Sequence, residues 1–205
     1  MTYPASDIAR WFLNHAQKLS DGEDTENITN LKLQKLLYYA QGSSLALRDE
    51  PLFAEDILHW QHGPAVKEVY QMYASSRDNA VSFTEDFSCS LDAETDRLLE
   101  DVYSVFGLYS AWGLRRLSCQ ESPWKETELN EIISRKAIRK YFLENYVEAV
   151  NKRLTRKKGK PCSQSESAFP DRNALAENWN SVLRKIRFSA SAERGLPGKQ
   201  PLCGC

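Results

Sequence analysis

The sequence predicts a mainly α fold: a compact multi-helix domain around a buried central helix, with at most a short β-hairpin, plus a basic C-terminal tail. Three observations predict it. Leu33, Leu36, Leu37 and Ala40 share one helical face, while Leu31, Tyr38 and Leu45 spread apolar surface around the same helix. A helix that is apolar over so much of its circumference belongs inside a domain, packed on several sides. Further segments repeat apolar residues at helical spacing before and after it. Finally, residues 1–150 carry 15 Lys and Arg against 24 Asp and Glu, a net of -9, whereas residues 151–205 carry 12 against 4, a net of +8.

The first helix is predicted over residues 5–19, with Ile8, Phe12, Leu13, Ala16 and Leu19 on one face and Ser6 as N-cap. Ser20 to Asn27 is an acidic loop. Thr29 caps the central helix, because its hydroxyl can accept from an otherwise orphaned backbone N–H. Lys32, Gln34, Lys35 and Gln41 interrupt that helix's apolar surface and are expected to reach solvent or a partner. Arg48 to Pro51 forms a turn. Leu52 and Phe53, then Ile57 to Trp60, are short apolar pieces, either a small hairpin or loop ends plugging the core. Gly63-Pro64 is expected to open a helix through Val66, Val69, Tyr70 and Tyr73, since proline pre-sets the first helical turn. Arg77 to Ser90 reads as irregular.

Leu98, Leu99, Val102, Val105 and Phe106 mark a helix beginning near Asp92 and ending at Gly107. Ser110 caps the next, with Ala111, Leu114 and Leu117 inward. Glu121 to Trp124 reads as a loop, because the residue before proline avoids helical geometry. Ser134 caps a last helix bearing Ala137, Ile138, Tyr141, Phe142 and Val147. The domain is thus expected over residues 1–150. Residues 151–205 form a basic, largely flexible extension with a short helix at 172–188, where Leu175, Trp179, Val182, Leu183 and Ile186 make an apolar stripe.

At 205 residues, with 41% hydrophobic and 27% charged side chains, the chain is globular in composition. No apolar run approaches the roughly 20 residues of a membrane helix, and Met1 to Ala5 lacks the pattern of a signal peptide. Five cysteines without framework spacing point to free thiols in a reducing cytoplasm. No metal is expected: His59 and His62 have no second ligand pair. No cofactor is expected either, because glycine-rich phosphate loops and dinucleotide fingerprints are missing. Cys119 with His59 or His62 and Glu121 would be needed for nucleophilic catalysis, but nothing beside Cys119 would activate its thiol. The acidic body offers no cationic face for nucleic acid, whereas the basic tail can hold phosphates nonspecifically.

Leu31 to Gly42 resembles the signature helix of the Panacea-domain family, which includes SocA-like antitoxins and GepA-like phage-associated proteins. Pro51-Leu52-Phe53, Trp60-Gln61-His62-Gly63-Pro64 and Val69-Tyr70 are similar to its second block. Leu117 to Trp124 is similar to its third, and Ile138 to Phe142 to its closing helix, so the resemblance spans roughly residues 5–146. Cys119 stands where the family carries His, and Ala65 where it carries Val, so a polar role at 119 is not carried over.

The resemblance implies a non-enzymatic antitoxin that neutralises a cognate protein toxin by direct binding, with an ATP-dependent protease as a second partner where the antitoxin acts as an adaptor. Gln34, Lys35, Tyr39, Trp60, Gly63, Pro64, Glu121, Pro123 and Trp124 are the candidate partner-binding residues. Gln34, Lys35, Tyr39, Trp60 and Glu121 are expected at or near the surface. The alternative is a phage-associated nucleic-acid-binding or transcriptional regulatory protein that uses the tail.

Overall fold

The computed structural model describes residues 2–19, 28–81 and 91–148. The acidic loop, residues 82–90, the basic tail and its 172–188 stripe lie outside them. The described residues form a mainly helical domain with one two-stranded antiparallel hairpin.

The central helix, α2 (Asn30–Arg48), follows α1 (Ala5–Leu19). Thr29 caps α2 as its sequence predicts, accepting from the Lys32 N–H at 3.2 Å. Asp49 ends the helix with a left-handed φ of 59°, a conformation that short polar side chains tolerate best after glycine. Serine at position 6 does not cap α1. The helix already begins at Ala5, whose N–H donates to Glu55 Oε1 at 2.8 Å, and the Pro4 carbonyl accepts from Asp7 and Ile8.

Strand β1 (Leu58–Trp60) pairs with β2 (Gly63–Ala65), with His59 opposite Pro64. Gly63-Pro64 therefore belongs to a strand and not to a helical turn. Helix α3 (Lys67–Met72) begins after Val66, and a 3₁₀ turn over Ala74–Ser76 follows. Helix α4 (Ala93–Phe106) begins next to Asp92, as predicted, and Asp92 caps it; α5 (Ala111–Ser118) is capped by Ser110, as predicted. Glu121 to Trp124 is not a loop throughout: α6 (Ser122–Lys125) is a short helix with Pro123 in its first turn, where proline has no N–H to lose. Helix α7 (Arg135–Phe142), capped by Ser134, runs into a π-helical turn over Leu143–Glu148.

Helices α1, α4, α5 and α7 and strand β2 all pack on α2. Leu33, Leu36, Leu37 and Ala40 are fully buried, together with Tyr38 and Tyr39. The ring of Tyr39 stacks on Phe106, centroids 3.8 Å apart, and the Tyr38 ring meets Phe142 edge-on. The α2–α7 approach depends on Gly42, because a Cβ there would fall 2.3 Å from Phe142 Cζ.

Candidate functional site

The polar residues of α2 are the principal departure from the sequence reading. Lys32, Gln34, Lys35 and Gln41 do not reach solvent; all four are buried. A buried amide or ammonium must find partners, and here three of the four partner backbone outside the helix. Gln41 accepts from Leu52 N at 2.8 Å and Phe53 N at 3.2 Å, and donates to the Phe53 carbonyl at 3.0 Å. Gln34 accepts from Val66 N at 2.8 Å and donates to Asn30 Oδ1 at 3.1 Å, while Asn30 donates to the Tyr70 carbonyl at 3.0 Å. Lys35 Nζ donates to the Pro64 carbonyl at 2.7 Å. The central helix thus supplies the hydrogen bonds that hold the hairpin and α3 in place.

Two sites flank the central helix. The first is a cleft of about 640 Å³, whose lining includes Gln34, Lys35, Trp60, Gly63, Tyr70 and Trp112. Four of the nine sequence-predicted residues meet there. Gly63 has φ +95°, which an L side chain rarely adopts, and a Cβ would lie 2.9 Å from Lys35 Nζ. Trp60 meets Tyr70 edge-on at 5.0 Å, and His62 meets Trp112 at 6.2 Å. Behind the hairpin, Trp124 Nε1 donates to the Trp60 carbonyl at 3.2 Å and its ring packs on His59. Pro123 and Pro64 are buried, and Trp124 is half-buried. Trp124 supports the hairpin through these contacts.

The second site is enclosed. Glu121 is only 1% exposed and accepts from Tyr38 Oη at 2.6 Å, Tyr146 Oη at 2.8 Å and Tyr39 Oη at 3.0 Å. Desolvation pushes its carboxyl up to about 7 against the pull of these three hydroxyls. Tyr39 and Glu121, expected near the surface, are interior. So are Gln34 and Lys35, which meet the cleft only at its floor.

Burial lowers Lys35 to about 7. Because its folded value lies below the unfolded 10.5, the unfolded chain binds more protons across that window. The stability this group contributes therefore climbs as pH rises from about 7 towards 10.5, and below 7 its full cost is present. Lys35→Met is expected to leave stability unchanged or raise it by about 1 kcal/mol near pH 7. Urea denaturation of the two proteins checks this, and the gain should fade at alkaline pH.

Cys119 is a free thiol. Burial pushes the thiol up, outweighing the opposite pull of Lys35 and Arg115, which is the reverse of activation. The Nδ1 of His59 lies 2.6 Å from the Thr127 carbonyl, and His62 faces Trp112. Among the described residues no group of three or more His, Cys, Asp or Glu is arranged to hold a metal ion, and no helix is long and apolar enough to cross a membrane.

Sequence reasoning missed Trp112, Tyr70, Tyr38 and Tyr146. Trp112 carried a usable signal: it lies off the Ala111, Leu114 and Leu117 stripe, and it is 63% exposed. The convergence of three tyrosines on Glu121 spans up to 83 residues of chain and left no local pattern.

Residues 33–125 match the family model described as Antitoxin SocA-like, Panacea domain. No curated protein and no solved structure matches the chain. The matched span is narrower than the resemblance read from the sequence, yet it includes most of α2, the hairpin and Glu121. Over residues 33–125 the chain is thus similar to the Panacea domain of SocA-like antitoxins.

Proposed function

We propose that this protein is an antitoxin that acts in the cytoplasm by binding a cognate protein toxin, and that it carries out no reaction of its own. The family match over residues 33–125 is the observation that carries the reading. The aromatic rim of the cleft supports a docking role. Trp112 and Tyr70 are exposed there, and large exposed aromatics are frequent interface anchors. A net charge of -9 over residues 1–150 favours a basic partner by electrostatic steering. Of the nine residues named from the sequence, Trp60 is the best placed for contact. Tyr39, Glu121, Pro64 and Pro123 act through the framework.

The test is co-purification of the tagged full chain with the growth-arresting protein encoded beside its gene. Trp112→Ala is expected to weaken capture by about tenfold, the equivalent of about 1.4 kcal/mol, without lowering the melting temperature. No capture by the wild-type chain would remove the reading. Delivery to an ATP-dependent protease is the finer version of this function. It predicts that co-expression shortens the toxin's half-life in cells that hold the protease and leaves it unchanged in cells that lack it.

A further inference from the structure

The floor of the cleft holds a buried lysine that no carboxylate among the described residues pairs. Lys35 is 1% exposed, and none of the ion pairs among the described residues includes it. An ammonium has three protons to donate, and the Pro64 carbonyl takes one. Lys35 and Gly63 both line the cleft, and the missing side chain of Gly63 leaves room for the amine, since a Cβ would sit 2.9 Å from Nζ and 3.1 Å from Ser118 Oγ.

The surroundings add positive charge and flat apolar walls. Arg115 bears on Lys35 electrostatically, its guanidinium lies 5.2 Å from the Trp112 ring centroid, and its buried Nε has no hydrogen-bond partner. Arg77 and a single acid, Asp78, stand at the rim. Trp60 and Trp112 line the same cleft. Proteins place small-molecule sites in pockets of this size, with apolar walls and a few convergent polar groups.

We propose that this cleft binds a small aromatic anion, a flat ring carrying a phosphate or a carboxylate, with the anion against Lys35 and the ring against Trp60 and Trp112. An anion at contact restores the charged ammonium that burial disfavours, and it gives the two unused donors an acceptor. The proposal does not depend on the toxin, because the purified chain alone tests it.

The experiment is calorimetric titration of the full chain with AMP and with adenosine, and in parallel with indole-3-acetate and indole-3-acetamide. The expected result is saturable binding of at least one anion, with its uncharged counterpart about tenfold weaker or worse. The pair that responds identifies phosphate or carboxylate as the preferred group. Lys35→Met should weaken the anion about tenfold while the protein remains folded. Should that variant fail to fold, Trp112→Ala, at an exposed position, is expected to weaken the same anion. Absence of binding by both anions overturns the proposal. So does equal binding of charged and uncharged probes, or unchanged affinity in a folded Lys35→Met protein.

Discussion

Replacing Glu121 with alanine is expected to destabilise the domain by about 3 to 5 kcal/mol, as removal of one partner from a buried charged network does. The carboxylate is the shared acceptor of Tyr38, Tyr39 and Tyr146. Tyr38 and Tyr39 are themselves fully buried, so their hydroxyls find no water when the acceptor is gone. Glu121→Gln keeps a carbonyl acceptor in the same place and is expected to stay folded. The pH dependence separates the two. With a folded value of about 7 against 4.5 for the free carboxyl, the native protein holds the proton that the unfolded chain releases between those values. The stability from this group therefore falls as pH rises from about 4.5 to about 7, and it stays at its lower level above that. Glu121→Gln should abolish the slope and gain on the wild type most clearly near pH 8. Urea midpoints across this range are the measurement. An alanine variant within about 1 kcal/mol of wild type would show that the hydroxyls find other partners.

The second large effect is expected at Gly42. Gly42→Ala places a methyl group 2.3 to 2.5 Å from three atoms of the Phe142 ring. That ring is fully buried among Tyr38, Tyr39 and Tyr146, so it has little room to move. Overpacking of this kind costs about 3 kcal/mol. Phe142→Leu alone should also destabilise, because it leaves part of the ring's space unfilled. The double variant is expected to be less destabilised than the two single effects added together, since the smaller side chain relieves the methyl. Simple additivity in thermal melts would mean that α2 and α7 do not meet at this point.

The fold was legible where a local rule coincides with packing. Thr29, Ser110 and Ser134 each cap the helix that sequence assigns to them, because capping involves only the neighbouring three residues. The leucines of α2 announced a helix packed on several sides, and the structure surrounds it with helices and β2. The polar positions on the same helix were misread for a physical reason. Gln34, Lys35 and Gln41 look like a solvated face in one dimension, and only the distant segments at 52–53 and 64–66 reveal what they bind. Gly63-Pro64 carries the same ambiguity. Proline suits a first helical turn and a hairpin strand alike, and the pairing of His59 with Pro64 decides between them.

The candidate site was read in part. Gln34, Lys35, Trp60 and Gly63 do share one cleft, but sequence put Gln34 and Lys35 on a surface, whereas they form its floor. Tyr39 and Glu121 were named for a surface role and instead hold the interior together. Long-range convergence of this kind has no periodicity to detect. Trp112, by contrast, was visible as an aromatic off its helix's apolar stripe.

The proposed antitoxin role requires the aromatic rim of the cleft to grip the partner. Growth of cells co-expressing the neighbouring growth-arresting protein tests it most directly, with wild-type chain, Trp112→Ala, and Cys119→Ser compared at equal antitoxin levels. Full rescue by wild type and by Cys119→Ser, and reduced rescue by Trp112→Ala, are expected. Rescue that survives loss of Trp112 but fails on loss of the Cys119 thiol would contradict it.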